Sequence, residues 1–243
     1  MMIVGIVGSP RKNGLTNQLV NAALEGAKLE NVEVKKVYLI DFDIKPYTGV
    51  RNCPEELSKL CEDADAIVLG SPIYWGNISG LITSFMDNVR ISNASGKPSL
   101  GISIAGGSGK GLISGIQSIY QFFYHKDMKG IDPTPVSRFN LDEATKGLLT
   151  SGRKLANLSK DWKPFRDLAE VAQYYQSIPF FDSDILDEFM LLNTQLFKVS
   201  KSDRIEYAKT EYEKAKVLIQ SGDRAAAAPH AVNVYEALYI ARH

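Results

Sequence analysis

Short apolar runs alternate with amphipathic stretches over roughly the first 140 residues of the chain. An apolar run bounded by turn residues predicts a buried strand, and apolar residues three and four positions apart predict a helix. By these criteria we predict strands at residues 2–7, 32–39, 66–70, 100–105 and 134–139. The stretches between them predict helices at residues 16–29, 54–63, 80–90 and 111–125.

The alternation of strands and helices predicts an α/β fold with a five-stranded parallel sheet and helices on both faces. The fifth run gives the weakest strand signal, because Pro133 and Pro135 cannot donate ladder hydrogen bonds. Ligands of such sheets bind beyond the carboxyl ends of the strands. We therefore expect three loops to meet at one ligand-binding edge, at residues 8–16, 71–79 and 106–111.

The pattern changes beyond residue 160, where the strand signals stop. Apolar spacing predicts helices at residues 183–197 and 202–220, a helix stop at Gly222, a break at 225–229 and a last helix at 231–242. We expect a domain of residues 1–160 followed by an all-helical extension of residues 161–243. The apolar faces of the extension need cover, either from the domain or from another subunit. Of these two arrangements we favour the subunit interface.

The composition is typical of a cytoplasmic protein with a substantial core. Of the 243 residues, 44% are hydrophobic, and the 28 basic residues are balanced by 28 acidic ones. That balance argues against a nucleic-acid partner, and no apolar run approaches the ~20 residues that span a bilayer. We expect no membrane partner and no secretory leader, and two cysteines do not make a disulfide framework.

The loop after the first strand has the features of an anion site. Unpaired N–H groups and the helix macrodipole make the start of the following helix positive. Further donors come from Ser9, Arg11, Asn13, Thr16 and Asn17. The loop matches neither GxxxxGK[ST] nor GxGxxG, so it suits a terminal monophosphate better than a pyrophosphate. The alternative is an ordinary strand-to-helix connection that happens to be polar.

The second loop carries two adjacent aromatic residues, Tyr74 and Trp75. At a ligand edge they suit a wall for a flat, partly apolar ring, and the alternative is that they pack beneath the sheet edge. Gly76 permits close backbone approach, and Asn77 offers donors and an acceptor. In the third loop, the glycines at 106–107 leave room for a planar ligand and present backbone N–H groups to it.

These loops resemble two motifs of the flavodoxin-like NAD(P)H-dependent FMN reductase family. Residues 8–17 resemble its GSPR-x-x-G-x-T loop, and residues 71–80 look like its SP-x-Y-W/F-G-x-x-S-G loop, with residues 81–87 as the following helix. The resemblance covers residues 1–160 and implies a flavodoxin-like fold with non-covalently bound FMN. The residues implied to bind FMN are Ser9, Arg11, Asn13, Thr16, Asn17, Pro72, Ile73, Tyr74, Trp75, Gly76, Asn77, Gly106 and Gly107.

The resemblance also implies an activity and partners. NAD(P)H would donate electrons, and a quinone, a flavin, another small redox acceptor or an electron-transfer protein would receive them. A homodimer or homotetramer is implied, and no catalytic side chain is expected because the flavin carries the chemistry. Two other functions stay open. One is a flavodoxin-like electron-transfer protein without its own NAD(P)H oxidation, against which the balanced charge weighs. The other is a flavin-binding module whose extension binds a partner.

The iron–sulfur flavoproteins resemble this chain most among the branches of that family, and here the sequence departs from their pattern. Their cysteine run C-x2-C-x2-C-x4–7-C falls on Tyr47, Val50, Cys53 and Cys61. Two thiolates cannot supply the four ligands of a [4Fe–4S] cluster, so we expect no cluster and no metal. The histidines, His125, His230 and His243, do not have metal-ligand spacing either.

Overall fold

The structure, a computed structural model that describes residues 1–239, is built around a parallel sheet. Its strands are β1 at Met2–Val7, β2 at Glu33–Tyr38, β3 at Ala66–Tyr74, β4 at Asn77–Ile78, β5 at Pro98–Ala105 and β6 at Lys129–Ser137. Five of them pair in the order β2-β1-β3-β5-β6, and each pair is parallel. The two-residue β4 is antiparallel to the end of β3. The predicted α/β class with a five-stranded parallel sheet is confirmed.

Helices cover both faces of this sheet. They are α1 at Leu15–Lys28, α2 at Glu55–Asp63, α3 at Gly80–Asn88, α4 at Leu112–His125, α5 at Leu141–Leu158, α6 at Leu168–Gln176, α7 at Ile185–Val199, α8 at Ile205–Gln220 and α9 at Arg224–Leu238. Side chains of β1 alternate between the faces. Ile3 and Val7 lie in one core with α1 and α5, whereas Val4 and Ile6 lie in another with α2, α3 and α4. Among residues 1–239, no helix is long and apolar enough to cross a bilayer.

Helices α1 and α5 pack backbone to backbone through two glycines. A Cβ atom built on Gly152 would lie 1.9 Å from the carbonyl oxygen of Ala23, and one built on Gly26 would lie 2.0 Å from that of Leu149. Glycine is therefore required at both positions for the two helices to approach this closely. The sequence pattern did not predict α5, because several of its buried positions are small residues such as Ala144, Ser151, Gly152 and Ala156.

Two strands run longer than predicted. Strand β3 continues to Tyr74 because Ser71 and Pro72 still pair with β5 and the last residues pair with β4. Strand β6 begins at Lys129 although it contains Pro133 and Pro135. Its register against β5 shifts between Ile131 and Thr134, so Pro133 lies at an irregularity, and β6 is an edge strand. Proline is tolerated at both kinds of position.

The predicted break at 225–229 is wrong, since Pro229 lies inside α9. The Asp223 side chain caps this helix by accepting a hydrogen bond from the N–H of Ala226 at 3.0 Å. Burial of Ala227 and Ala231 against the neighbouring helices offsets the hydrogen bond that proline cannot donate. Residues 240–242 of the predicted last helix lie outside the described residues.

The extension packs on the domain near the carboxyl end of β5. Leu192, Leu196 and Val234 share one buried cluster with Ala105 and Leu112. The apolar stripes are thus covered largely within the chain, and their cover does not require another subunit. The homodimer or homotetramer stays a prediction. The predicted boundary at residue 160 falls in the irregular segment 159–167, between α5 and α6.

Candidate cofactor site

The three loops at the carboxyl ends of β1, β3 and β5 meet at one edge of the sheet, as the topology predicted. The N–H of Gly8 donates to the carbonyl of Gly70 at 2.8 Å, and the Ser79 hydroxyl donates to the carbonyl of Gly8 at 2.6 Å. On the other side, a Cβ atom built on Gly111 would lie 2.5 Å from Cα of Gly76. The first and third loops therefore both contact the second one.

The helices that begin at these loops differ in how their first N–H groups are satisfied. Helix α3 is capped by Ser79, whose side chain accepts from the N–H of Ile82 at 3.3 Å. Helix α4 is capped by the carboxylate of Glu188 from α7. Helix α1 begins after Gly14 without a capping side chain and without an acidic residue in its first turn. Its first N–H groups stay available for an anion.

The predicted residues of the first loop surround this helix start. Ser9 and Thr16 are buried, and Ser9 Oγ accepts from the N–H of Arg11 at 3.1 Å, which shapes the loop. Arg11 and Asn13 are exposed. Within residues 1–239 the Arg11 side chain forms no ion pair or hydrogen bond. Its charge is thus not neutralised by a carboxylate of the described chain.

Strand β2 contributes two residues that sequence reasoning missed. The side-chain oxygen of Asn17 accepts hydrogen bonds from Lys36 Nζ at 2.8 Å and from the Tyr38 hydroxyl at 3.2 Å. Lys36 Nζ also donates to the side-chain oxygen of Asn21 and lies 5.1 Å from the centre of the Tyr38 ring. In the described chain Lys36 has no carboxylate partner, so it adds positive charge beside the start of α1. The sequence offered one indication of this role, namely the charged residues interleaved in β2.

The second loop is a tight hairpin, which corrects the prediction of an irregular loop from residue 71. Ile73 pairs with Ile78 and Tyr74 pairs with Asn77, leaving a two-residue turn. Trp75 and Gly76, which form this turn, have φ of 52° and 80°. Positive φ at both central residues is the geometry that matches the twist of the flanking strands.

The two aromatic side chains do not pack beneath the sheet edge. Trp75 is fully exposed and Tyr74 is 48% exposed, so the alternative interpretation of this pair is wrong. The turn beneath them is anchored to α4. The Ser114 hydroxyl donates to the carbonyl of Gly76, and the Ser118 hydroxyl donates to the side-chain oxygen of Asn77 at 2.8 Å. A fixed turn therefore presents a free aromatic surface.

Gly106 and Gly107 of the third loop are exposed, and a Cβ atom built on either would have no neighbour within 4 Å. They border open space, and the slot for a planar ligand stays a prediction. The far end of this loop is fixed differently. Gly109 and Gly111 have φ of 83° and 90°, and a Cβ on Gly109 would lie 2.6 Å from a methyl group of Leu192.

The two cysteines lie close in sequence to each other, and the absence of an iron–sulfur cluster stays a prediction. Cys61 is fully buried on α2, and burial raises the pKa of its thiol to about 12; burial also raises the pKa of Cys53. Tyr47 and Val50, which stand at the other two positions of the cysteine run, are exposed residues without thiols, so this run offers two of the four thiolates of a [4Fe–4S] cluster. In the described part of the chain, no three His, Cys, Asp or Glu side chains are grouped to hold a metal.

Side-chain amides hold the segment in which the cysteine run would lie. The fully buried Asn88 donates from Nδ2 to the carbonyl of Lys45 at 3.1 Å, and its oxygen accepts from the N–H of Asn52 at 3.0 Å. The Asn52 side chain in turn accepts from the N–H of Lys45 at 3.1 Å. These three hydrogen bonds attach the segment to the end of α3.

The two histidines that the structure describes lie on helices away from the three loops. His125 is exposed at the end of α4, and His230 pairs with Glu211 at 2.7 Å between α8 and α9. His243 lies outside the described residues. The site is therefore made of backbone N–H groups, cations, hydroxyls, amides and aromatic rings.

Comparison with known proteins agrees with this geometry. Residues 1–136 match the family described as NADPH-dependent FMN reductase. The chain belongs to this family. As a member of the FMN reductase family it is classed with the flavoprotein oxidoreductases.

Two relatives show how far sequence similarity within the family extends. An iron–sulfur flavoprotein of Methanocaldococcus jannaschii is 32% identical over 156 residues, which cover 55% of this chain and 79% of that protein. One from Methanosarcina thermophila is 28% identical over 140 residues, covering 51% and 73%. Both carry iron–sulfur in their names, whereas this chain has two of the four cysteines.

Solved structures show the same fold at low identity. A flavodoxin from the domain Archaea aligns with a TM-score of 0.52 at 20% identity, over 66% of this chain and all of that one. The apo form of an NADH:FMN oxidoreductase aligns with a TM-score of 0.52 at 17% identity, over 63% and 88%. These matches establish the flavodoxin-like fold.

Proposed function

We propose that this protein binds FMN non-covalently at the carboxyl edge of the sheet and oxidises NAD(P)H there, passing the electrons to a quinone, a flavin or a similar small acceptor. The observation that carries the proposal is the uncapped start of α1 beside an exposed aromatic hairpin. The proposal places the protein in the cytoplasm as a homodimer or homotetramer, without a membrane or nucleic-acid partner.

The start of α1 fits a phosphate monoester. Three backbone N–H groups, those of Leu15, Thr16 and Asn17, begin the helix without intrahelical partners. Arg11 and Lys36 supply positive charge that no carboxylate of the described chain neutralises. Ser9 and Asn13 belong to the same loop. A charge-assisted hydrogen bond is worth about 1.5–3 kcal/mol, so a few of them suffice for tight binding of a dianion.

The hairpin and the third loop fit the planar part of the cofactor. Pro72 and Ile73 lead into the turn, Tyr74 and Trp75 offer aromatic surface, and Gly76 lets the backbone come close. Gly106 and Gly107 border open space and have no side chains that would fill it. Asn77 is a rigid part of this wall, because its side-chain oxygen is held by Ser118 and by the N–H of Ile78.

Bound FMN would supply the acceptance and delivery of electrons. The protein's contribution would be to hold the phosphate at α1, to border the ring with the hairpin and with Gly106 and Gly107, and to leave one side open to a second planar molecule. No titratable side chain is needed to break a bond. We therefore assign no catalytic acid or base.

The exposed Trp75 ring also suits contact with a protein partner, which favours a second candidate, an electron-transfer protein without its own NAD(P)H oxidation. One experiment separates the two functions. The FMN-loaded protein is mixed with excess NADH and with excess NADPH in the absence of oxygen, and the visible flavin band is followed. If the protein is an oxidoreductase, one donor or both bleach the flavin band. Its steady-state kinetics with a quinone as acceptor are then expected to be ping-pong. A flavin band that neither donor bleaches contradicts the oxidoreductase and favours the electron carrier.

A further inference from the structure

A carboxylate from the helical extension caps a helix of the domain. Glu188 on α7 accepts hydrogen bonds from the N–H of Gly111 at 2.9 Å and from the N–H of Ile113 at 3.1 Å. Gly111 is the N-cap residue of α4 and, being a glycine, has no side chain that could cap the helix. Negative charge at a helix start is favourable because it meets the positive end of the macrodipole.

The same glycine-rich loop contacts α9. The Tyr235 hydroxyl donates to the carbonyl of Ser108 at 2.9 Å. Lys110 Nζ lies 5.5 Å from the centre of the Phe189 ring and 5.3 Å from that of Tyr235, which are cation–π distances. Residues 108–113 are therefore attached to the extension by the hydrogen bonds to Glu188 and Tyr235 and by two cation–π contacts of Lys110.

These contacts matter for the loop because of its composition. Four of the six residues at 106–111 are glycine, so the free loop has large conformational freedom. Gly106 and Gly107 have no side chains of their own to hold them, and their position depends on how the end of the loop is fixed. The fixed end also contacts the hairpin, since Gly111 packs on Gly76.

We propose that Glu188 is a positioning residue, through which the helical extension fixes the position of Gly106 and Gly107 at the cofactor site. The consequence for FMN rests on the proposed function. Glu188 also occupies the start of α4, so a ligand's phosphate is directed to the start of α1, where no carboxylate competes. Finally, the carboxylate adds negative charge at the loop, which opposes the charge gained when a flavin is reduced.

The test uses the full chain with Glu188→Ala and Glu188→Gln. Glu213→Gln is the control, since exposed Glu213 forms its ion pair with Lys216 on α8. Circular dichroism confirms the fold of each variant. Hydrogen–deuterium exchange without added flavin reports on the N–H groups of Gly111 and Ile113. Glu188→Ala is expected to raise their exchange at least tenfold. Tyr235→Phe is expected to loosen residues 106–110, and Glu213→Gln leaves both regions unchanged.

Flavin measurements test the second step. Glu188→Ala is expected to weaken FMN binding about fivefold or more. Glu188→Gln, which keeps the shape and loses the charge, is expected to make the midpoint potential of bound FMN more positive. Unchanged exchange in Glu188→Ala overturns the positioning role whatever the flavin does. Faster exchange with unaltered affinity and potential overturns its link to the cofactor site. If the unsubstituted protein does not bind FMN, the proposed function fails, while the exchange result still decides whether Glu188 positions the loop.

Discussion

Lys36 Nζ donates a hydrogen bond to the side-chain oxygen of Asn17 across 2.8 Å, which ties the edge strand β2 to the first turn of α1. The bond leaves the Asn17 amide group free to donate outward. It also places a positive charge beside the uncapped helix start. Strand β2 is thus part of the candidate phosphate site.

Replacing Lys36 by methionine is expected to weaken FMN binding about three- to tenfold, because Asn17 loses a fixed orientation and the site loses a charge. Lys35→Met is the control, since exposed Lys35 is the neighbour of Lys36 on the same strand and forms its ion pair with Glu33. Both affinities are measured by fluorescence titration of FMN. Equal affinities in the two variants contradict a role for Lys36 at the phosphate.

The contact between α1 and α5 predicts a stability difference between two glycines on one helix. Gly152→Ala places a Cβ atom against the carbonyl of Ala23, forcing the helices apart at a cost of about 1–3 kcal/mol. Gly147→Ala on the exposed side of α5 meets no atom and is expected to stabilise by up to about 1 kcal/mol through helix propensity. Thermal unfolding measures both. The same melting temperature for the two variants is incompatible with this packing.

The junction between α8 and α9 predicts an acid-sensitive region. Hydrogen bonds from Asn233, Lys214 and His230 lower the pKa of Glu211 from 4.5 to about 2. A carboxyl whose folded pKa is depressed contributes stability above its unfolded pKa and loses it as pH falls. Stability is therefore expected to fall between about pH 4.5 and pH 2.

Glu211→Gln tests this explanation, because it removes the titrating group and keeps the shape. The variant is expected to be less stable at pH 7 and to lose less stability between pH 5 and pH 2 than the unsubstituted protein. The measurement is urea unfolding at a series of pH values, with Glu213→Gln as the control. Parallel pH profiles for Glu211→Gln and the unsubstituted protein would rule out this carboxyl as the cause.

The cysteine pair predicts the metal content of the protein. Cys53 and Cys61 are two thiols, and the other two positions of the run are Tyr47 and Val50, so the run lacks two of the four thiolates that a [4Fe–4S] cluster needs. Protein purified without oxygen is expected to contain no stoichiometric iron or acid-labile sulfide. About four of each per chain, as a cuboidal cluster requires, would show that this expectation is wrong.

The sheet and its ligand edge could be predicted because they depend on local patterns. Buried strands leave apolar runs, and the carboxyl ends of parallel strands share one edge whatever the details. The positions that differed depend on contacts distant in sequence. Tyr74 is in a strand because Asn77 and β5 pair with this segment, and Pro229 is in a helix because its neighbours are buried by α7 and α8.

The site residues that the sequence did not predict also depend on contacts between residues distant in sequence. Lys36 and Tyr38 lie about 20 residues from Asn17 in the sequence, and Glu188 lies 77 residues from Gly111, the N-cap residue of the helix that it caps. The local sequence around one partner of each hydrogen bond does not predict the other partner. Helix α5 was missed for a different reason, because its contact face is built from small residues and gives a weak hydrophobic signal.

Trp75 provides a prediction in which stability and binding change in opposite directions. Its φ of 52° is in the left-handed region, which costs a residue with a Cβ about 1–2 kcal/mol, and its fully exposed ring gains little from packing. Trp75→Gly relieves that strain and is expected to raise the free energy of unfolding by up to about 1 kcal/mol, after the added chain entropy of glycine. The same change removes aromatic surface from the ring site, so FMN binding is expected to weaken about tenfold.

Asn31→Gly is the matched control, because Asn31 is also left-handed, with φ of 58°, and lies in the exposed turn after α1. Asparagine tolerates this conformation better than tryptophan, so the expected gain in stability is smaller, and FMN affinity is expected to stay the same. Chemical unfolding and FMN titration are measured on both variants. If Trp75→Gly binds FMN as tightly as the unsubstituted protein, the ring of FMN does not lie against this hairpin.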